Sequence, residues 1–171
     1  RANRYPNVRR EFQQLAQLYS GRVIPGMLYE VPRVTFDYHG QPVILEAQYH
    51  GPQPAPDLKY YASICFNWPD ANLRADVYPQ GLLGSLKKLI GMRDIEVGDA
   101  AFDRKYMISG NDLVRVQKLL SQRVRDLIGL IKGPRHNDAV HLRIVGGKLW
   151  IYRRNLAGEY DVLRSFVEMS L

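Results

Sequence analysis

The side chains with chemistry to offer are few and widely spaced. His39, His50, His136 and His141 show no His-x-x-x-His or Glu-paired spacing, the pattern that sets two ligands on one helical turn around a metal. His39 falls in a turn, and His50 and His136 fall in polar loops. His141 sits on a strand, directed away from the face of Leu142 and Ile144, where an imidazole could sense pH or hold a ligand. Asp94, Glu96, Asp99 and Asp103 form the acidic cluster. If 94–97 is extended, Asp94 and Glu96 project to one side and present two oxygens to a hard cation. A calcium loop needs more oxygen ligands in a tight register around a glycine turn, and that alternating Asp/Asn pattern is missing. Local pairing with Arg93, Arg104 and Lys105 accounts for the same residues, so no metal ligand is assigned.

Nucleophilic catalysis has no handle either. There is no Gly-x-Ser-x-Gly elbow, and neither Ser63 nor Cys65 has a base nearby in sequence. Cys65, the sole cysteine, reads as a small buried strand residue, and alone it forms neither an internal disulfide nor a cysteine zinc cage. The run Gly81-Leu82-Leu83-Gly84-Ser85-Leu86-Lys87-Lys88 lacks the Gly-Lys-Ser/Thr ending of a phosphate loop and reads as a glycine-bracketed helix. Its leucine face, with Lys87 and Lys88 opposite, suits a core, an anionic membrane or a partner protein. Basic and aromatic residues do meet on the hairpin 143–154. There Arg143, Lys148, Trp150, Tyr152, Arg153 and Arg154, with Lys132 and Arg135 in the preceding loop, could form a nucleic-acid surface, although no ribonucleoprotein-type aromatic signature accompanies them.

The elements that must position these groups alternate in type. Asn7 is placed to cap a helix carrying Val8, Phe12, Leu15 and Tyr19, with Gly21 to end it. A β-hairpin follows, Val34, Phe36 and Tyr38 turning at His39-Gly40 into Val43, Leu45, Ala47 and Tyr49. After the proline-rich loop 50–57, a second hairpin is expected, with Tyr60 to Trp68 turning at Pro69-Asp70-Ala71-Asn72 into Leu73, Ala75 and Val77. A strand over 102–108, a helix capped by Asn111, a helical run through Leu113, Val116, Leu120, Val124, Leu127 and Ile131 that Ser121 could split, a hairpin about Gly146-Gly147, and a closing helix with Tyr160, Leu163 and Val167 complete the chain. This order predicts an α+β fold, a mainly antiparallel sheet of about six to seven strands with helices packed on one face. One domain over 1–171 is the simpler reading, and two lobes meeting near 79–91 the alternative.

The formal net charge of +7 favours phosphates or acidic headgroups by long-range attraction. No stretch reaches the roughly 18 to 20 apolar residues of a membrane helix. Arg1, Arg4, Arg9 and Arg10 read as a solvated helix start and would also suit the cytoplasmic flank of a preceding membrane span; the chain is expected in the cytoplasm, with tethering by a segment before Arg1 as the alternative to a free domain.

The run Asp94-Ile95-Glu96-Val97-Gly98-Asp99, continuing through Phe102-Asp103-Arg104-Lys105-Tyr106 to Ser109-Gly110-Asn111-Asp112, resembles an uncharacterised family of bacterial, often membrane-anchored proteins. Trp68-Pro69-Asp70 and Tyr78-Pro79-Gln80-Gly81-Leu82-Leu83 are similar to that family as well. The resemblance implies a domain next to a membrane segment and carries no activity, cofactor or catalytic residue.

The sequence therefore predicts a non-enzymatic binding module with no cofactor, facing a protein partner or an anionic membrane surface. A nucleic-acid binder using 143–154, or an enzyme whose site assembles in space around Asp94, Glu96, Asp99 or His141, are the alternatives.

Overall fold

A computed structural model describes residues 6–26, 32–49, 60–80, 93–131, 140–154 and 160–171. In chain order these hold α1 (Pro6–Leu18), β1 (Arg22–Ile24), β2 (Arg33–Tyr38), β3 (Gln41–Tyr49), β4 (Tyr60–Asn67), β5 (Ala75–Pro79), β6 (Arg93–Asp94), α2 (Ala100–Asp103), β7 (Tyr106–Gly110), α3 (Leu113–Leu119), α4 (Gln122–Ile131), β8 (Val140–Val145), β9 (Lys148–Arg154) and α5 (Tyr160–Ser170). The fold is α+β with antiparallel strand pairing. The two strands beyond the expected seven, β1 and β6, are too short to carry a period that sequence could reveal. Two compact units emerge, Arg1–Asn67 with Tyr152–Leu171, and Trp68–Ile151. The expected helix over 81–91 and the loop 50–57 lie outside the described residues. No helix among those described is long and apolar enough to cross a membrane.

In the first unit, α1 buries Val8, Phe12, Leu15 and Ala16, one face at helical spacing. Fully burying a Phe or Leu of this kind contributes about 1.5–3 kcal/mol. The helix starts at Pro6, so Asn7 lies within it and does not cap it. Its end is a Schellman turn. The Gly21 amide donates to the Ala16 carbonyl at 2.7 Å, the Ser20 amide to Gln17 at 3.4 Å, and Ser20 takes the left-handed φ of 51°. Gly21 is needed for a different reason, since a Cβ there would sit 2.5 Å from the Thr35 carbonyl oxygen, where the chain turns back along β2.

Strands β1, β2, β3 and β4 pair in sequence order. Their register stacks Val34, Leu45 and Ile64 in one fully buried row, with Ala47 opposite Ala62 beside it. The turn at His39-Gly40 forms as the sequence predicts. Both residues have positive φ, and Asp37 Oδ1 accepts the Gly40 amide at 2.8 Å. Helix α5 adds Leu163, Phe166 and Val167 to this interior and packs on α1 and β4, and Tyr19 stacks on Phe36 at 4.7 Å.

In the second unit the order is β8, β5, β7, β6, with Lys148–Ile151 of β9 beside β8. The expected second hairpin does not form: β5 pairs with β7 and β8, and β4 with β3. The polar groups of the intervening turn are taken up by distant residues. The Trp68 amide donates to Gly147, Asp70 pairs with Arg115 at 2.6 Å, and the Asn111 side chain both donates to the Asn72 carbonyl and accepts the Arg74 amide. Asn111 is thereby occupied, and Asp112 caps α3 in its place. The strand expected over 102–108 starts only at Tyr106, because Asp99 caps a helical turn over Ala100–Asp103 first. The long helical run splits at Leu120. Val116, Ile128 and Ile131 are buried, whereas Leu113 and Leu127, expected in the core, are exposed at 48% and 40%.

Two measurements test this packing. Gly21→Ala should cost about 1–3 kcal/mol, because the methyl meets backbone and not a yielding side chain, and chemical denaturation would read it as a lower midpoint at unchanged slope. Glu11, 7% exposed on α1 and without a hydrogen-bond or ion-pair partner among the described residues, has its pKa raised by burial above the ordinary value of 4.5. The folded state therefore favours the protonated carboxyl. Stability should be greatest below the ordinary value and fall as pH rises through the raised one. Glu11→Gln should flatten that decline in melting temperature measured against pH.

Candidate functional site

One concavity lies wholly within the second unit. It is a cleft of about 480 Å³ between α2 with the start of β7 on one side and α4 on the other. Its geometry starts at Asp99. Oδ1 accepts the Ala101 amide at 3.0 Å and the Phe102 amide at 3.1 Å, while Oδ2 accepts from Arg125 Nε at 3.2 Å. The Phe102 amide first, then the Ala101 amide and the Arg125 charge, hold the Asp99 carboxyl below the usual aspartate range against a smaller opposing desolvation. The cap thus survives mild acid and is lost only as pH falls through that lowered value.

Arg125 is fixed on all sides. Beyond Asp99, its Nη1 donates to the Leu120 carbonyl at 2.5 Å and its Nη2 to Gln122 Oε1 at 2.6 Å, while Gln122 Nε2 donates to Asp126 Oδ1 at 2.8 Å. Gln122, Arg125, Asp126, Gly129 and Leu130 recur at three, four, seven and eight residues, so one stripe of α4 faces the cleft. Opposite stand Ala101, Phe102, Lys105 and Tyr106, the two rings stacked at 4.6 Å. Tyr106 is 6% exposed, its hydroxyl has no hydrogen-bond partner among the described residues, and burial raises its pKa.

A second polar cluster lies on β5 and its neighbours. Asp76, 4% exposed, accepts or shares a proton with His141 Nε2 at 3.0 Å and faces Arg143 Nε at 3.6 Å. The Tyr78 ring meets His141 edge-on, and buried Ser109 is paired with Asp76 in register on β7. A hydrolytic triad needs the imidazole between hydroxyl and carboxylate. Here the carboxylate holds the central strand, with Ser109 on one flank and His141 on the other. The arrangement can neutralise a buried charge and does not build a nucleophile.

The sequence-predicted groups are therefore dispersed. His39 occupies the β2–β3 turn, His141 pairs with Asp76, and His50 and His136 lie outside the described residues. Glu96 is exposed, and its backbone carbonyl accepts from Gln117. Asp103 Oδ1 accepts the Val97 amide, and the backbone of Asp94 is paired with Ser109. Of this acidic group only Asp99 lines the cleft, and its cation is Arg125, not the adjacent arginines the sequence suggested. No group of three metal-ligating side chains occurs among the described residues. On the hairpin 143–154, Arg153 is buried at 5% exposure and Arg143 faces Asp76, so these do not form one exposed basic stripe; Lys132 and Arg135 lie outside the described residues. Sequence reasoning missed Arg125, Tyr106 and Gly129. A glycine inside an otherwise apolar and basic helix was the signal at hand.

No family model matches this chain, and no curated protein matches it. Among solved structures it is similar to the crystal structure of the mycobacterial trehalose monomycolate transport factor A, TtfA, at a TM-score of 0.64 and 9% identity, over 96% of this chain and 90% of that one. At that identity the likeness is one of fold.

Gly129 has open space where a Cβ would lie. Glycine inside a helix costs about 1 kcal/mol relative to alanine, so Gly129→Ala should raise the melting temperature by roughly 2–4 °C in thermal denaturation.

Proposed function

We propose that this chain is a non-enzymatic binding module working at an acidic membrane surface, with the cleft beside α4 as its recognition site. The observation that carries this reading is the state of the cleft's charges. Asp99 and Arg125 are bound to each other and to backbone, Asp126 is held by Gln122, and among the described lining residues no nucleophile stands against a base. Such a wall offers shape and apolar surface and has no group poised to transform what it holds. The net charge of +7 supports an acidic surface as the setting. The fold likeness to a protein named for the transport of trehalose monomycolate also favours a carrier-side role over catalysis.

Flotation of the full chain with phosphatidylglycerol and with phosphatidylcholine vesicles tests the setting. The chain should float with the acidic vesicles at low salt, stay behind with the neutral ones, and be released by high salt as the charges are screened. No association with acidic vesicles at low salt would remove the membrane from the reading.

A further inference from the structure

We infer that the cleft of the second unit binds an uncharged amphiphile, an alkyl chain joined to a hydroxyl-bearing head; this deepens the binding-module reading and rests on it. The cavity of about 480 Å³ falls inside the roughly 300–1,000 Å³ range of small-molecule sites. Its wall divides by chemistry. Ala101, Phe102 and Leu130 are apolar, and at Gly129 the helix backbone itself is open to a ligand because no side chain intervenes. A helix that keeps glycine where alanine would fit without contact gives up stability, and close backbone approach is what the missing methyl provides.

Into this wall is set the Tyr106 phenol. Tyr106 is 6% exposed and lines the cleft, and its hydroxyl has no protein hydrogen bond among the described residues. Such a hydroxyl can exchange water for a ligand that both donates and accepts, as an alcohol does. Among the described lining residues the charges balance: Lys105 and Arg125 stand against Asp99 and Asp126, and the Arg125–Asp99 pair is locked. A site without net charge gains nothing from an anionic or cationic head and must desolvate it. At the same wall Leu130 is 63% exposed, and Leu127, three residues before it on α4, is 40% exposed. These form an apolar exit along which an alkyl chain too long for the cavity can lie.

The test is titration of the full chain with octyl glucoside below its micelle-forming concentration, read by calorimetry and by 15N amide shifts. Octyl sulfate and octyltrimethylammonium serve as charged counterparts. Octyl glucoside should bind saturably, move the amides of Ala101, Lys105, Gly129 and Leu130, and bind more tightly than either charged form. Tyr106→Phe, which keeps the ring, should weaken binding about two- to tenfold, the worth of one neutral hydrogen bond. Gly129→Leu should weaken it more than tenfold by filling the cavity. Leu130→Ser, at a position exposed enough to leave folding intact, supplies the same test if Gly129→Leu does not fold. Absence of saturable binding, tighter binding of a charged form, or binding indifferent to these variants would overturn the inference. Vesicle association without octyl glucoside binding would overturn the inference and leave the binding-module reading standing.

Discussion

The Asp99 carboxylate ties together the elements that make the cleft. One oxygen ends the backbone's extended course by capping α2, which turns Phe102 inward and delays β7 until Tyr106. The other holds Arg125, whose guanidinium reaches the Leu120 carbonyl where α3 stops and α4 begins. A helix end carries carbonyls with no intrahelical partner, and a charged donor at that point satisfies one while fixing the direction of the next helix. The spacing between α2 and α4 thus follows from one residue's two oxygens.

A related economy governs the interior of the second unit. Strand β5 is buried along both faces, with Ala75 and Val77 on one and Asp76 and Tyr78 on the other. A carboxylate so placed requires positive neighbours, because an unpaired buried charge is costly by several kcal/mol. Arg143 on β8 supplies a charge at 3.6 Å, and His141 offers a hydrogen-bonding ring nitrogen at 3.0 Å. Antiparallel pairing on both sides of β5 places these groups across the strands at registers that no local pattern announces.

Both constraints commit charged groups to the architecture. At the cleft, Asp99 and Arg125 are hydrogen-bonded to each other and to backbone, and Asp126 is held by Gln122. What remains open to a ligand is apolar surface, a tyrosine hydroxyl and a bare stretch of helix.

Local periodicity by itself determined the α+β class, α1 and α5, the hairpin turning at His39-Gly40 and the hairpin turning at Gly146-Gly147. Each of these is written in neighbouring residues, as alternation, helical spacing or a glycine-bearing turn. Only the tertiary structure decided that β5 leaves β4 for β7 and β8, that Asp112 and not Asn111 caps α3, that Leu113 and Leu127 face outward, and that Arg125 meets Asp99. In each case the deciding partner lies far along the chain. Asn111 is drawn to Asn72 and Arg74, Asp70 to Arg115, and Asp99 to an arginine beyond a helix break.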